Sequence, residues 1–342
     1  MMTRWICPLA LTISAFGQAP PPRDWTANPA VVRVEATPEI FAIGDLHGDV
    51  ERLAQLLAAA KIVDPVPIPS ALPHWTAGKS VLVFTGDLID KGPNSLGVLA
   101  LVRSLRAQAR QAGGQVIILM GNHEASLLAD PHSELTADFA AEAIAAGINL
   151  KDLTACRGEL AAFLCSLPFA ARVGDWFFSH GGNSGGRTLD QLATALQLDF
   201  DKDGFKAPEI AGENSILFAR IGDRGPHGKS WFEAESPKRN AQKLLENYAA
   251  LLGVSHIVEG HHRADATFSD GALRKPGEMF QWRGLLFLID TGLSRQIDDS
   301  RGAVLHIDTR SGQASAICPN GESTLIWDTR HASQTGRAKP CK

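Results

Sequence analysis

The chain reads as a layered α/β fold, and three features of the sequence predict it. Short apolar runs, each the length of a buried strand, recur at Ile40–Ile43, Val81–Phe84, Val116–Leu119, Trp176–Phe178, His256–Val258, Leu285–Ile289 and Ala303–Ile307. Stretches with a leucine or alanine face separate several of them, which fits helices packed on a sheet. At 342 residues with 44% hydrophobic content, the chain can bury one large core without a second domain.

Taken in order, Met1-Met2-Thr3-Arg4 puts a positive charge ahead of an apolar run from Trp5 to Gly17 that is too short to span a bilayer. That is the form of an export signal, with small residues at 15, 17 and 19 offering cleavage points. Residues 1–19 are therefore expected to be removed, leaving a periplasmic or secreted protein with no stable membrane insertion. The Pro-rich stretch to residue 38 reads as a linker or surface arm, 39–330 as the folded domain and 331–342 as a tail. Within the domain, 50–60 and 95–112 are expected helices, and a helical insert falls near 132–167. The segments 64–73, 181–186 and 199–214 read as loops.

Loss of the signal removes Cys7 and leaves Cys156, Cys165, Cys318 and Cys341, an even set in a compartment that permits disulfides. Three pairings are open, as is a set of four separate thiols. A bond between Cys156 and Cys165 requires a break in any helix joining them, because nine residues at about 1.5 Å rise separate their ends by roughly 13 Å. The net charge of -4 and the lack of any dense Lys/Arg run give no reason to expect a nucleic-acid partner.

The chemistry is concentrated where the apolar runs stop. They give way to Gly44-Asp45-Leu46-His47-Gly48, Gly86-Asp87-Leu88-Ile89-Asp90-Lys91-Gly92, Gly121-Asn122-His123-Glu124, Ser179-His180-Gly181-Gly182 and Gly260-His261-His262. In open α/β sheets ligands bind outside the carboxyl ends of strands, so these clusters are expected to converge. Carboxylate and amide oxygens with imidazoles suit Mn, Fe or Zn better than Ca, and the glycines leave room for a phosphate. Any one cluster alone is more often a turn or cap; five in order are not.

In this order the clusters resemble the signature of the metal-dependent phosphoprotein phosphatase superfamily (the calcineurin-like metallophosphoesterases), G-D-x-H-G, G-D-x-x-D-R-G, G-N-H-E, H-G-G and a late G-H. The match runs from Ile43 to about His262. Phe218-Ala219-Arg220 and Ile289-Asp290-Thr291-Gly292-Leu293-Ser294-Arg295 are similar to features of the bacterial Shewanella-like phosphatases and their plant relatives. The resemblance implies a β-sandwich flanked by helices and two divalent ions per chain. It implies one ion on Asp45, His47 and Asp87, and the other on Asp87, Asn122, His180 and His261, with a hydroxide between them as nucleophile. It also implies His123 as general acid oriented by Asp90, and Asn122 and Arg220 as phosphate ligands.

Lys91 departs from the superfamily's arginine, keeping the charge but losing the planar fork. His262 is followed by Arg263, so a G-H-x-H pattern is absent, and His262 reads as packed or supporting. Asp199-Phe200-Asp201-Lys202-Asp203-Gly204 resembles the start of a calcium loop, but Ile210 stands where the twelfth-position glutamate belongs; a calcium-stiffened loop and a solvated acidic turn remain open. The expected activity is phosphomonoester hydrolysis on phosphorylated peptides, phosphotyrosine by analogy, or on small phosphate esters. Hydrolysis of dinucleoside polyphosphates is the alternative, and a decayed metal-binding module a third reading that the intact Asp87, Asn122 and His123 argue against.

Overall fold

The computed structural model describes residues 23–65, 72–221, 231, 241–297 and 299–342. The expected signal segment and part of the 64–73 loop lie outside these residues. Two sheets stack face to face. One has six strands, β14 (Ser323–Asp328), β13 (Gln313–Ile317), β12 (Val304–Asp308), β2 (Glu39–Ile43), β3 (Val81–Phe84) and β4 (Gln115–Ile118), in that spatial order. The other has seven: β1 (Val31–Val34), β5 (Ala170–Val173), β6 (Trp176–Ser179), β7 (His256–Glu259), β11 (Leu286–Leu288), β10 (Met279–Trp282) and β15 (Gly336–Ala338). A two-stranded ribbon, β8 (Ala266–Thr267) with β9 (Leu273–Arg274), lies apart. The helix-flanked sandwich expected from the family resemblance is the fold observed.

The central strands are buried on both faces, which is why they read as continuous apolar runs rather than alternating ones. Ile40, Ala42, Val81, Val83 and Ile117 meet Phe178, Val258 and Phe287 between the sheets. Phe41, Ile43, Leu82 and Phe84 belong to the second core, beneath the helices. There α1 (Val50–Ala59) buries Leu53, Leu56 and Leu57, and α2 (Ser95–Gln111) buries Val98, Leu101, Val102 and Leu105. Side-chain oxygens start both helices: Asp49 accepts the Arg52 amide at 3.2 Å and Asn94 that of Gly97 at 2.7 Å.

Several expected boundaries change. The expected linker contributes β1, and the Arg23 guanidinium at its start donates to the Asn28, Leu167 and Ser166 carbonyls at 2.9–3.0 Å. The tail contributes β15. The Ala/Leu-rich insert is three short helices, α4 (Ala137–Ala145), α5 (Leu150–Thr154) and α6 (Glu159–Cys165), reached through α3 (Asn122–Ala129). The loop expected at 199–214 is instead the end of α7 (Leu189–Asp203) followed by the short α8 (Pro208–Ala211), and α9 (Ala241–Leu252) is the last helix among the described residues. Asp199, Asp201 and Asp203 thus lie on a helix, and Asp199 and Asp201 accept hydrogen bonds from the Glu209 amide and the Trp25 indole. That removes the calcium-loop reading.

The cysteines pair Cys156–Cys165 and Cys318–Cys341, excluding four separate thiols. The first bond joins the end of α5 to α6 across the break at residues 155–158 that the distance argument required. Among the described residues no helix is long and apolar enough to cross a membrane.

Candidate metal centre

All five clusters meet at one end of the sandwich. Strands β2, β3 and β4 run parallel as neighbours in one sheet, and β6 and β7 run parallel in the other. Their carboxyl ends deliver Asp45, Asp87, Asn122, His180 and His261 to a common space from both sheets. The turns are sharp: among the described non-glycine residues with positive φ are His47 (41°), Asp87 (51°), Asp90 (73°), Lys91 (62°) and His261 (57°). Backbone strain is therefore concentrated at this end, as at sites whose geometry the surrounding structure enforces. Gly121 is required by close approach, because an added Cβ would collide with the backbone and carboxylate of Asp87.

Two groups of buried donors emerge, Asp45 with Asp87, His180 and His261, and His47 with Asp87 and His123. Asp87 belongs to both. Its Oδ1 lies 3.3 Å from His180 Nε2, while its Oδ2 lies 3.7 Å from His47 Nε2 and 3.8 Å from His123 Nε2. Asn122 joins the first group through Oδ1, 3.0 Å from His180 Nε2. Asp45 is shared more widely than expected: its Oδ1 accepts the His261 amide at 2.9 Å, and its Oδ2 is 3.9 Å from His47 Nε2.

The far ring nitrogens are fixed by carbonyls, which sets the tautomers. His180 Nδ1 lies 2.8 Å from the Thr85 carbonyl, His47 Nδ1 3.3 Å from that of Ile89 and His261 Nε2 3.2 Å from that of Phe218. His180 and His47 are thereby left to ligate through Nε2 and His261 through Nδ1. Anionic oxygens, an amide oxygen and oriented imidazoles held within ligand range are the donor set that hard-to-borderline divalent ions take. The residues fit a binuclear divalent metal site.

Electrostatics agree. Burial raises the Asp87 pKa, but His180, His123 and His47 outweigh it and hold the carboxyl well below its usual range. His180 loses basicity to burial yet is raised to about 9 by Asp87 and Asp45. Burial, then the charge of Asp290, pushes Asp45 well above its usual value. Burial brings His47 down to about 3, and burial with the nearby His180 and Arg220 brings His261 well below its ordinary value. Burial and crowding thus oppose full ionisation of both carboxylates, and bound cations would favour it.

Around this centre, His123 Nδ1 sits 3.1 Å from Asp90 Oδ2. The Lys91 ammonium, half-buried, lies 3.2 Å from His47 Nε2 at the edge of the site. Arg220 donates to the His261 carbonyl at 2.5 Å. His262 is buried, with Nε2 3.2 Å from the Asp265 carbonyl, and joins neither donor group. Three buried residues that the sequence reasoning did not promote also shape the site. Glu124 accepts four backbone amides, from Asp87, Leu88, Ile89 and Gly121, at 2.8–3.2 Å, and its place in the G-N-H-E cluster was the available signal. Asp290 stands close enough to Asp45 to raise its pKa. Arg274 donates to the carbonyls of His262, Ala264, Glu278 and Asp290, tying the His261 turn to the end of β11, and no motif announced it.

Two helix-flanked sheets with a shared carboxylate and paired donor groups at their strand ends define a metallophosphoesterase. The chain belongs to the calcineurin-like phosphoesterase family, whose model matches residues 38–264. It is 24% identical to Shewanella-like protein phosphatase 2 of Arabidopsis thaliana over 340 residues, covering 82% of this chain and 78% of that one. A symmetrical bis(5'-nucleosyl)-tetraphosphatase of Janthinobacterium sp. matches more locally, 32% identical over 150 residues and spanning under half of either chain, 42% and 43%. A cold-active protein tyrosine phosphatase of solved structure superposes with a TM-score of 0.67 at 20% identity, covering 89% of this chain and 84% of that one, which supports the fold.

Proposed function

We propose that this metal-dependent phosphoester hydrolase is an exported phosphomonoesterase acting on phosphoproteins, phosphotyrosine included. The observation that carries the mechanism is the Asp87 carboxylate, which turns one oxygen to each donor group. A single anion so placed would offset the repulsion between two divalent cations held by the two donor groups. Two divalent ions bound there supply Lewis-acid charge to the phosphoryl oxygens and lower the pKa of water to near neutrality.

The chain's own residues do the rest. Asp45, His47 and Asp87 would hold one ion and Asp87, Asn122, His180 and His261 the other, with Asp45 also in reach of the second set. Lys91 and Arg220 orient the phosphate, with Asn122 beside them. His123, its Nδ1–H held by Asp90, presents the opposite nitrogen to the leaving oxygen and gives it a proton. The donor set leaves Mn, Fe and Zn as candidates. The substrate class rests on the phosphatase relative that spans most of both chains, whereas the dinucleotide hydrolase matches under half of each. Export is supported by the form of the first 19 residues and by the two disulfides.

The deciding experiment is metal analysis of the native exported protein, combined with rates on phosphotyrosyl and phosphoseryl peptides, dinucleoside tetraphosphates and phosphodiesters. Two ions per chain and fastest turnover of phosphopeptides are expected. A dinucleotide turned over faster than every peptide, or retention of Met1 or Met2 in the mature protein, overturns the corresponding part.

A further inference from the structure

The loop after β3 holds two consecutive side-chain-bearing residues in the left-handed region, Asp90 and Lys91. That conformation is disfavoured for residues with a Cβ, and it persists only where neighbours enforce it. Within the loop, the Ser95 hydroxyl accepts the Asp90 amide at 3.0 Å. Further restraints come from α4 of the helical insert. Its Phe139 amide donates to Asp90 Oδ1 at 2.9 Å, leaving Oδ2 for His123. One turn on, Glu142 accepts the Ser95 and Leu96 amides at 3.0 and 2.9 Å, taking two donors at the start of α2 that the helix itself cannot satisfy.

Phe139 engages through a free backbone amide in the first turn of α4 and Glu142 through its side chain one turn later, so the N-terminal half of α4 grips the loop at both ends. We propose that α4 acts as a clamp on the loop carrying Asp90 and Lys91, with Glu142 as a positioning residue for leaving-group protonation. Among the described residues, the Glu142 carboxylate hydrogen-bonds to the Ser95 and Leu96 amides and to none of the candidate metal ligands. By anchoring Ser95 and Leu96 it fixes the hydroxyl that holds Asp90, and through Asp90 the ring of His123. The inference rests on the reading of His123 as proton donor.

The test is a leaving-group series, from p-nitrophenyl phosphate to simple alkyl phosphates, run on the metal-loaded enzyme and its Glu142→Ala, Glu142→Gln and His123→Ala variants. An alkoxide needs a proton in the transition state far more than a nitrophenoxide does. Glu142→Ala is expected to lower kcat/KM about tenfold or more for alkyl phosphates but less than about threefold for p-nitrophenyl phosphate, with metal content unchanged. Glu142→Gln keeps one acceptor oxygen and should fall between Glu142→Ala and the parent, which also covers the case in which the alanine variant fails to fold. If His123→Ala steepens the leaving-group dependence while both Glu142 variants lose equally across the series, or lose nothing, the clamp is wrong. If His123→Ala is flat as well, the proton-donor reading falls and the inference falls with it.

Discussion

At the scale of single residues, Asp87 carries most of the site's electrostatic design. Replacing it by Asn keeps the shape and removes the shared charge, so Asp87→Asn is expected to lose at least one of the two ions and nearly all turnover. Metal analysis beside the rate checks this, and full activity with two ions in the variant refutes it. Lys91 is a different case. Its ammonium reaches the site, but a rotatable point charge aligns a phosphate less strictly than a guanidinium fork. Lys91→Ala should cost on the order of 1.5–3 kcal/mol in kcat/KM, and Lys91→Arg should stay within about tenfold of the parent. An alanine variant matching the parent in both rate and phosphate inhibition removes Lys91 from substrate binding. Apart from Arg220, the positions that the sequence exposed share one property: each sits in a glycine-flanked cluster directly after a strand. Arg274 escaped notice, and Asp290 was quoted only within the Ile289–Arg295 run with no role, because their partners lie far away in sequence or are backbone carbonyls, which no side-chain pattern records.

Elements were legible where burial made them so. Strands β2, β3, β4 and β7 are apolar on both faces and stood out, whereas β13, Gln313-Ala-Ser-Ala-Ile317, alternates small residues and gave almost no signal. Even shorter pieces, β8, β9 and β15, owe their existence to pairing partners rather than to propensity. The cap of α1 shows the same dependence on distant chain. Asp49 accepts not only Arg52 but also the Arg295 amide at 3.0 Å and its guanidinium at 2.8 Å, joining the segment after β11 to the helix that follows His47. Burial raises the Asp49 pKa, but the Arg295 and Arg52 hydrogen bonds outweigh it and leave the group below its usual value. A carboxyl depressed on folding stabilises above its unfolded pKa and loses that contribution as pH falls through the folded value. Asp49→Asn should therefore be less stable than the parent at pH 7, with the difference shrinking below about pH 4 as Asp49 takes up a proton. Urea denaturation at both pH values measures it, and a gap that widens in acid contradicts the assignment.

For the whole molecule, the Cys318–Cys341 bond pins the last residues across a separation of 23 positions. A loop of that length is worth about 3 kcal/mol in the chain-entropy account, so Cys341→Ser should lower unfolding free energy by roughly that amount in denaturant titration. An unchanged midpoint speaks against it. The metal centre has its own long reach. His261 and Asp45, joined by a hydrogen bond, stand 216 residues apart, and the donors come from both sheets. During synthesis, a chain extended only through Asn122 already carries four of the six ligand residues, yet it lacks the opposing sheet that closes around them. Contacts so distant in sequence form late, after the loop-closing entropy between them has been overcome. Native metal capture therefore follows assembly of the sandwich rather than seeding it, and a bound pair of ions becomes a record that folding has gone to completion.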